Sequence, residues 1–511
     1  MAPRRQPASL QVRCVQHFVQ LLHGLCQQQP FAEQPYPDLM AVQTVLQERL
    51  PQSLQAVLGE RTLAYVEGLQ MPVTQWHVHL LLQLRVRRLS VSGSVVHVGV
   101  LDAEDASMLQ QLSLFYGGCG DRACKMYNFL RGAINLTHLQ CTDFCNDDML
   151  QIVARTCPHL NCLALHACDV TNEGVIKLCG LSEDIRKNIE SLTNGENLEP
   201  LSVCAHSLKQ IKLTMTKVTE AGVAIILLVL PEIQLLRVPD IQMQQLFTFL
   251  GKLRNCNVQT NLKEFHSREI LDEFQLSVLA RLCPNLEYVQ VTFIGTAEVD
   301  IRRLRSLVQV KKLKGVKLGD VNSEALIWFM EEMGSKMELL HLFTYHTRFS
   351  QEKLRMTRRH LQSLARCCPV LNTLNIDGYS LDEDELPITD DLQYFRALQH
   401  LQLWSIRLTE SDVRVFLSKC WHIQALDIVL LNPFVLQDHL INQFIDSGVW
   451  KDLVKVRILN SPITYKVLGK LVKECPRLRE LGCLYTWLIS KCQVTEFKNM
   501  VRLENLDLEI Y

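Results

Sequence analysis

This 511-residue sequence has almost no net charge, no long apolar run and no closely spaced C-x-x-C pair of cysteines. The formal net charge is −1, which gives no electrostatic reason to expect nucleic acid, an anionic membrane or a strongly charged substrate as the ligand. The longest apolar run, VAIILLVL at 223–230, is too short to cross a bilayer. The first residues, MAPRRQPASLQ, lack the apolar segment of a secretory signal peptide.

Motifs that carry covalent chemistry are missing as well. The sequence contains no G-x-x-x-x-G-K-[ST], no H-E-x-x-H and no G-x-S-x-G. Its 19 cysteines are scattered without any C-x-x-C pair, and their spacing does not fit a zinc site. We therefore expect a non-catalytic protein with free thiols, no metal and no cofactor, located in the cytoplasm, the nucleus or both.

A repeated pattern, Φ-x-x-Φ-x-Φ with Φ apolar, is what the sequence has in abundance. Fifteen clear copies and one weak copy, at Leu262, run from Val86 to the end of the chain, mostly 23 to 30 residues apart. The mean spacing of about 26 residues is typical of leucine-rich repeats. The gap between Leu160 and Leu208 leaves room for one further degenerate repeat. The clear copies are VRRLSV (86–91), LQQLSL (109–114), LTHLQC (136–141), LNCLAL (160–165), LKQIKL (208–213), IQLLRV (233–238), LEYVQV (286–291), LKGVKL (313–318), MELLHL (337–342), LNTLNI (371–376), LQHLQL (398–403), IQALDI (423–428), LVKVRI (453–458), LRELGC (478–483) and LENLDL (503–508).

Each copy predicts a short strand whose Φ side chains point into a shared core, with the x side chains on the opposite face. Helical patterns lie between the copies; TESDVRVFLSKC (409–420) begins with Thr409 and Asp412 placed to cap a helix. The predicted fold class is α/β, a leucine-rich-repeat solenoid with a horseshoe shape, strands on the concave side and helices on the convex side. It would span residues 85–511 in about 16 repeats, after an all-α module in residues 1–84.

A cysteine recurs where each helix gives way to a strand, as in TCPHL (156–160), LCPNL (282–286), CCPVL (367–371) and ECPRL (474–478); KCWHI (419–423) has Trp421 in place of proline. Because the position repeats, we predict structural roles for Cys157, Cys283, Cys368, Cys420 and Cys475. This pattern resembles the cysteine-containing subclass of leucine-rich repeats found in F-box receptors of ubiquitin ligases. The resemblance implies a solenoid that binds proteins.

Two motifs precede the repeats. SLQVRCVQHF (9–18) resembles a BC box, the Elongin C-binding motif, whose contact positions correspond to Leu10, Cys14 and Phe18. LPQSLQAVL (50–58) resembles a Cullin-2 box, with contact positions at Leu50, Pro51, Leu54 and Leu58. Their order is that of the von Hippel–Lindau box, which Zyg and PRAME-like receptors combine with leucine-rich repeats. The resemblance implies a substrate-recognition subunit of a cullin–RING ubiquitin ligase that binds Elongin B/C, Cullin-2 and an unknown target protein.

Three alternatives remain at this stage. LPQSLQAVLGERTL (50–63) also resembles the opening of an F-box, which would imply an F-box adaptor and Cullin-1 as partners. The N-terminal helices could instead only cap the first repeat. The repeats could also belong to a protein-binding scaffold without any ligase.

Several features mark candidate target-binding surfaces. His138, Tyr288, His341, Trp404 and Asp427 follow or occupy x positions and are candidate contacts on the concave face. Two inserts of opposite charge, a basic one at 343–360 and an acidic one at 377–391, leave neighbouring strands and are predicted to lie side by side. Solvated loops and a grip for a bipolar partner are both compatible with them.

Overall fold

The computed structural model describes residues 10–27, 41–42, 44–46, 52–68, 75–92, 106–115, 123–143, 145–181, 201–239, 241–252, 259–344, 355–382, 395–406, 408–504 and 506–510. The chain forms two compact units. The N-terminal unit comprises Ala8–Phe265 with Arg281–Cys283, and the C-terminal unit comprises His266–Ala280 and Pro284–Tyr511. The predicted division at residue 84 stays a prediction; helices of the N-terminal module and the first repeats belong to one unit.

Three helices open the N-terminal unit: α1 (Leu10–Gln27), α2 (Gln52–Gly68) and α3 (Gln75–Gln83). They pack against one another. Their shared core consists of buried apolar side chains from all three helices and the short helical stretch at 44–46, namely Val19, Leu22, Cys26, Leu46, Leu58, Leu80 and Leu84. Burial of this cluster is what holds the helices together, because isolated helices of this length are marginal in water.

The rest of the N-terminal unit alternates strands and helices. Its elements are β1 (Arg88–Ser92), β2 (Gln111–Phe115), α4 (Ala123–Gly132), β3 (His138–Thr142), α5 (Asp147–Thr156), β4 (Cys162–His166), α6 (Asn172–Cys179), β5 (Gln210–Thr214), α7 (Glu220–Val229), β6 (Leu235–Arg237), α8 (Met243–Lys252) and the first residues of β7 (Glu264–Ile270). Each strand pairs in parallel with the next one along the chain. This sequential order is that of a solenoid.

The C-terminal unit continues the same alternation. Its elements are α9 (Glu273–Leu282), β8 (Tyr288–Thr292), α10 (Ala297–Val308), β9 (Gly315–Gly319), α11 (Ser323–Met333), β10 (Leu339–Phe343), β11 (Arg355–Thr357), α12 (Arg358–Cys367), β12 (Thr373–Asp377), β13 (Ser380–Asp382), β14 (His400–Ile406), α13 (Glu410–Ser418), β15 (Ala425–Leu430), α14 (Asp438–Asp446), β16 (Lys455–Leu459), α15 (Tyr465–Glu474), β17 (Glu480–Gly482), α16 (Lys491–Leu503) and β18 (Glu509–Ile510). The parallel order is β8-β9-β10-β12-β14-β15-β16-β17-β18.

The predicted fold class, a leucine-rich-repeat type of α/β solenoid, is confirmed by this topology. The Φ positions are buried as the pattern requires, for example Leu136, Leu139 and Cys141 around β3. The x residues between them lie on the other face of the strands, which we call the open face. Burying the whole Φ set gives each repeat an apolar core that it shares with its neighbours.

Two details of the predicted repeats are wrong. β4 pairs directly with β5 from Cys162↔Gln210 to His166↔Thr214, so the long gap between these copies adds no strand to the sheet. The last copy is shifted: α16 continues through Leu503, which is 87% exposed, and β18 pairs Glu509 with Glu480. Neither glycine nor proline interrupts the helical pattern of α16, so the helix continues to the residue taken as a strand anchor.

Side-chain hydrogen bonds tie the start of one helix to the start of the next. The carboxylate of Asp147, on α5, accepts from the backbone N–H and the hydroxyl of Thr171, the N-cap of α6. Asp438 makes the same pair of bonds to Thr464. Gly174 lies against Asp147, where a Cβ atom would collide with the carboxylate oxygen. A side chain at this position would therefore prevent the close approach.

Candidate functional site

Helix α1 carries apolar side chains on two faces. Val19, Leu22 and Cys26 are buried in the core of the N-terminal module. Phe18 is 37% exposed and Leu21, three residues later, is 54% exposed. Positions three apart share one face of a helix, so these two side chains form an exposed apolar patch beside the buried face. We call Phe18 and Leu21 the α1 patch.

The structure places the predicted adaptor contacts only in part. Leu10 and Cys14 belong to α1, at the helical spacing that the BC-box pattern requires, but their side chains lie outside the described residues. Phe18 is on the surface, as adaptor binding needs. The pattern did not identify Leu21, although its spacing from Phe18 was a usable signal.

The predicted cullin contacts divide differently. Leu50 and Pro51 lie outside the described residues, as does the side chain of Leu54 on α2. Leu58 is only 7% exposed and packs in the core of the module, so it stabilises α2 instead of offering a direct contact. The neighbouring Val57 is exposed.

A histidine pair fixes α1 against α3. The Nδ1 atom of His23 lies 3.0 Å from the Nε2 atom of His77, and the edge of the Tyr65 ring meets His23. Burial, together with the nearby His23, lowers the pKa of His77 to about 4, and burial also lowers the pKa of His23. Both rings are therefore neutral at physiological pH. One of the two nitrogens can then carry a proton and donate a hydrogen bond to the other.

Three of the predicted contacts lie on three different strands, β3, β8 and β10. His138, in the N-terminal unit, is exposed on β3. Tyr288, in the C-terminal unit, packs over the glycine at position 315, where a Cβ atom would collide with its ring. His341 on β10 is half-buried; burial and the nearby Lys317 lower its pKa to about 4, so its ring is neutral at physiological pH.

The other two candidates, Trp404 and Asp427, belong to one cluster. Trp404 lies near the end of β14, Asp427 on β15 and Arg457 on β16, all in the C-terminal unit. The guanidinium of Arg457 is 5.5 Å from the centre of the Trp404 ring and 3.6 Å from the Oδ2 atom of Asp427. The register pairs Asp427 with Arg457, which puts both side chains on the same face. A cation–π contact and an ion pair thus meet on one side chain.

The two charged inserts are neighbours, as predicted. β11, from the basic insert, pairs in parallel with β13, from the acidic insert, through Arg355↔Ser380 and Thr357↔Asp382. Thr357 then begins α12 with a capping box. The other residues of the inserts, 345–354 and 383–391, lie outside the described residues.

The junction cysteines have the structural role that the repeat predicts. Cys157, Cys368 and Cys475 cap the C-terminal ends of α5, α12 and α15 and are buried. Burial raises the pKa of Cys157, Cys283 and Cys475 to about 11, and that of Cys368 and Cys420 to about 12. Thiols with such pKa values are not reactive nucleophiles at neutral pH.

The described residues contain neither a metal-binding group of side chains nor a membrane-spanning helix. No three of their histidine, cysteine or acidic side chains are grouped closely enough to hold a metal ion. None of the helices in the described parts of the chain has the length and apolar character needed to cross a membrane.

Comparisons of the sequence with known proteins do not assign this chain to a family. No family model and no curated protein matches this chain. A leucine-rich-repeat protein of Leptospira interrogans is similar in structure, with 13% identity, coverage of 84% of this chain and 91% of the other, and a TM-score of 0.34. The complex of Rad7 and Elc1 from yeast is also similar, with 14% identity, coverage of 77% and 98%, and a TM-score of 0.36. The fold assignment therefore depends on the strand order, register and burial described above.

Proposed function

We propose that this protein is a substrate-recognition subunit of a cullin–RING ubiquitin ligase. Helices α1 and α2 would bind Elongin C, within Elongin B/C, and Cullin-2, while the leucine-rich repeats would bind a target protein. The observation that carries the proposal is the exposed α1 patch: Phe18 stands at a contact position of the BC-box pattern and is on the surface in the free chain.

The packing of α1 supports a docking role over a pure capping role. A helix that only caps a repeat needs one apolar face, and α1 has that face in Val19, Leu22 and Cys26. Phe18 and Leu21 add a second, exposed face, and exposing such large apolar side chains has no benefit for the free chain. A helix with a free apolar face is suited to bind in a groove on a partner.

The anchoring of α1 also favours docking. Its buried face and the His23–His77 contact fix its orientation before any partner arrives. A docking helix that is already folded loses less conformational entropy on binding, which improves affinity. In the proposed complex, α2 would present Val57 to the cullin while Leu58 keeps the helix in place.

The mechanism that we propose is positioning. A receptor that binds both a ligase core and a target raises the effective concentration of the ubiquitin-loaded enzyme near the lysines of the target. The receptor itself would perform no covalent chemistry and would need neither a metal nor a cofactor. We propose the cytoplasm, the nucleus or both as its location, because the described cysteines are free thiols.

Affinity capture from cells tests this proposal. The full-length protein is compared with a Leu10→Ser/Cys14→Phe double variant, and Leu503→Ser serves as the control because it removes an exposed apolar side chain in the other unit. We expect the wild type and the control to retain Elongin B/C and Cullin-2, and the double variant to lose both. Retention of an F-box adaptor with Cullin-1 would replace Elongin in the proposal, and retention of no adaptor would leave a scaffold.

A further inference from the structure

The cluster of Trp404, Asp427 and Arg457 leaves two polar atoms without a hydrogen bond. The Nε1 atom of Trp404 and the Oδ1 atom of Asp427 are both shielded from solvent and have no partner. The other carboxylate oxygen of Asp427 faces Arg457. Buried polar groups are almost always paired, because leaving them unpaired costs free energy. A ligand that pairs both atoms would therefore gain the free energy that the free chain forgoes.

The two unpaired atoms define the chemistry of that ligand. An indole N–H can only donate a hydrogen bond, and a carboxylate oxygen can only accept one. A peptide group offers both complements, since its carbonyl accepts and its N–H donates. Arg457 lies over the Trp404 ring and beside the carboxylate, so it must turn aside for a ligand to enter. Its side chain is 40% exposed and its nearest carboxylate contact is 3.6 Å, which is longer than a hydrogen bond.

Charged side chains surround the cluster. Asp377 on β12 is paired in register with Trp404, so the two side chains are on the same face of the sheet. Arg457 faces Asp427, and Lys455 on the same strand pairs with Glu480 on β17 at 2.5 Å. Gly482 stands next to Arg457 on β17 and has no side chain, which leaves space beside the guanidinium stem.

Apolar side chains flank the cluster at the edge where the parallel strands end. Leu431 and Phe434 follow β15, and Tyr485 and Leu488 follow β17. All four are exposed, and Phe434 and Tyr485 each belong to a single turn of 3₁₀ helix, Pro433–Val435 and Leu484–Thr486. Exposed apolar groups beside a polar cluster are typical of a protein-binding surface.

We propose that this surface, from Trp404 to the edge residues Phe434 and Tyr485, binds an extended peptide segment of a partner protein. One peptide carbonyl of the segment accepts from Trp404 Nε1 and one peptide N–H donates to Asp427 Oδ1, while apolar side chains of the segment pack at the edge. Naming that partner as the ligase target rests on the proposed function; the peptide binding itself does not.

Selection from a displayed library of random 12-residue peptides on the full-length protein tests the proposal. Enriched peptides are then synthesised, and their dissociation constants are measured by fluorescence polarisation for the wild type and three variants. Trp404→Phe removes the N–H and keeps an aromatic ring, and Asp427→Ala removes the acceptor. Lys455→Ala is the control, because it changes a matched pair on the same face. We expect about a tenfold loss for each of the first two variants and no more than about twofold for the control.

Other outcomes would overturn the proposal. Equal binding of the enriched peptides to Trp404→Phe, or failure to enrich any peptide, would each do so. A shift of the Trp404 indole N–H resonance on peptide addition, assigned with Trp404→Phe, checks that the contact is direct even if Asp427→Ala fails to fold. Peptide binding without Elongin capture would sink the proposed ligase role alone, and the reverse result would sink the peptide surface alone.

Discussion

At the scale of single residues, the chain depends on side chains that satisfy the exposed N–H groups of a neighbouring helix. Asp438, on α14, accepts from the backbone N–H of Thr464 at 2.8 Å and from its hydroxyl. These bonds occupy donors at the start of α15 that the helix cannot pair internally. The repeats are thus joined by hydrogen bonds as well as by their apolar core.

The Asp438→Ala substitution should lower the free energy of unfolding by about 1–3 kcal/mol, because it leaves a half-buried N–H without an acceptor. Asp446→Ala is the matched control on the same helix: Asp446 is well exposed and pairs only with Lys470. Its loss should cost no more than about 1 kcal/mol. Thermal unfolding of the two variants measures the difference, and equal effects would remove the special role of Asp438.

His77 should make the stability of the chain depend on pH. Its pKa is about 4 in the folded state, against the ordinary histidine pKa of 6.5, so the unfolded chain binds the proton more readily. The stabilising contribution is present above pH 6.5 and is lost as the pH falls from 6.5 through 4, up to roughly 3 kcal/mol in total. Urea unfolding across this range should show a shallower decline for His77→Phe, and an unchanged decline would refute the assignment.

At the scale of elements, helix boundaries follow the local sequence closely. Thr409 and Asp412 form the capping box that the sequence predicted: the Thr409 hydroxyl accepts from the Asp412 N–H, and the Asp412 carboxylate accepts from the Thr409 N–H. The box satisfies donors at the start of α13 and fixes where the helix begins.

Removal of this cap should be measurable. Thr409→Ala should cost about 1 kcal/mol of unfolding free energy. Thr296 occupies the N-cap of α10 without any side-chain capping bond, so Thr296→Ala should cost only a few tenths of a kcal/mol. Denaturant midpoints for both variants give the comparison, and an equal cost would mean that the capping bonds contribute nothing.

The repeat pattern predicted the strands because each Φ position is determined locally by burial. It placed β3 and β12, for instance, within two residues of their observed starts and assigned the right face to their side chains. The short strands β11 and β13 were not predicted, since their pairing depends on how two inserts meet in space. β18 was placed too early, because Leu503 suits a helix end as well as a strand anchor.

The sequence predicted less of the candidate site than of the strands. The motif spacing found Phe18 on the surface, but an apolar stripe does not say which partner covers it, and Leu58 turned out to pack inside the chain itself. Trp404 and Asp427 were named separately from their places in the repeat. The repeat copies give the register that places Asp427 beside Arg457, but they do not specify that the Arg457 side chain extends over the Trp404 ring.

At the scale of the whole molecule, two regions would carry out the two binding roles. The α1 patch, in the N-terminal unit, would recruit the ligase core, and the surface at Trp404, in the C-terminal unit, would hold a target segment. Neither role requires chemistry by this chain. Each surface should therefore be separable by mutation, since the substituted residues lie in different units.

We propose one decisive measurement of whether this chain is an Elongin-binding ligase receptor. The purified full-length protein is titrated with the purified Elongin B–Elongin C heterodimer. Calorimetry should give one-to-one binding with a dissociation constant of about 1 μM or tighter. The Phe18→Ser/Leu21→Ser variant should bind at least about tenfold more weakly, while Leu503→Ser should bind like the wild type. Absence of binding at about 100 μM, or equal binding by the double variant, would contradict the account.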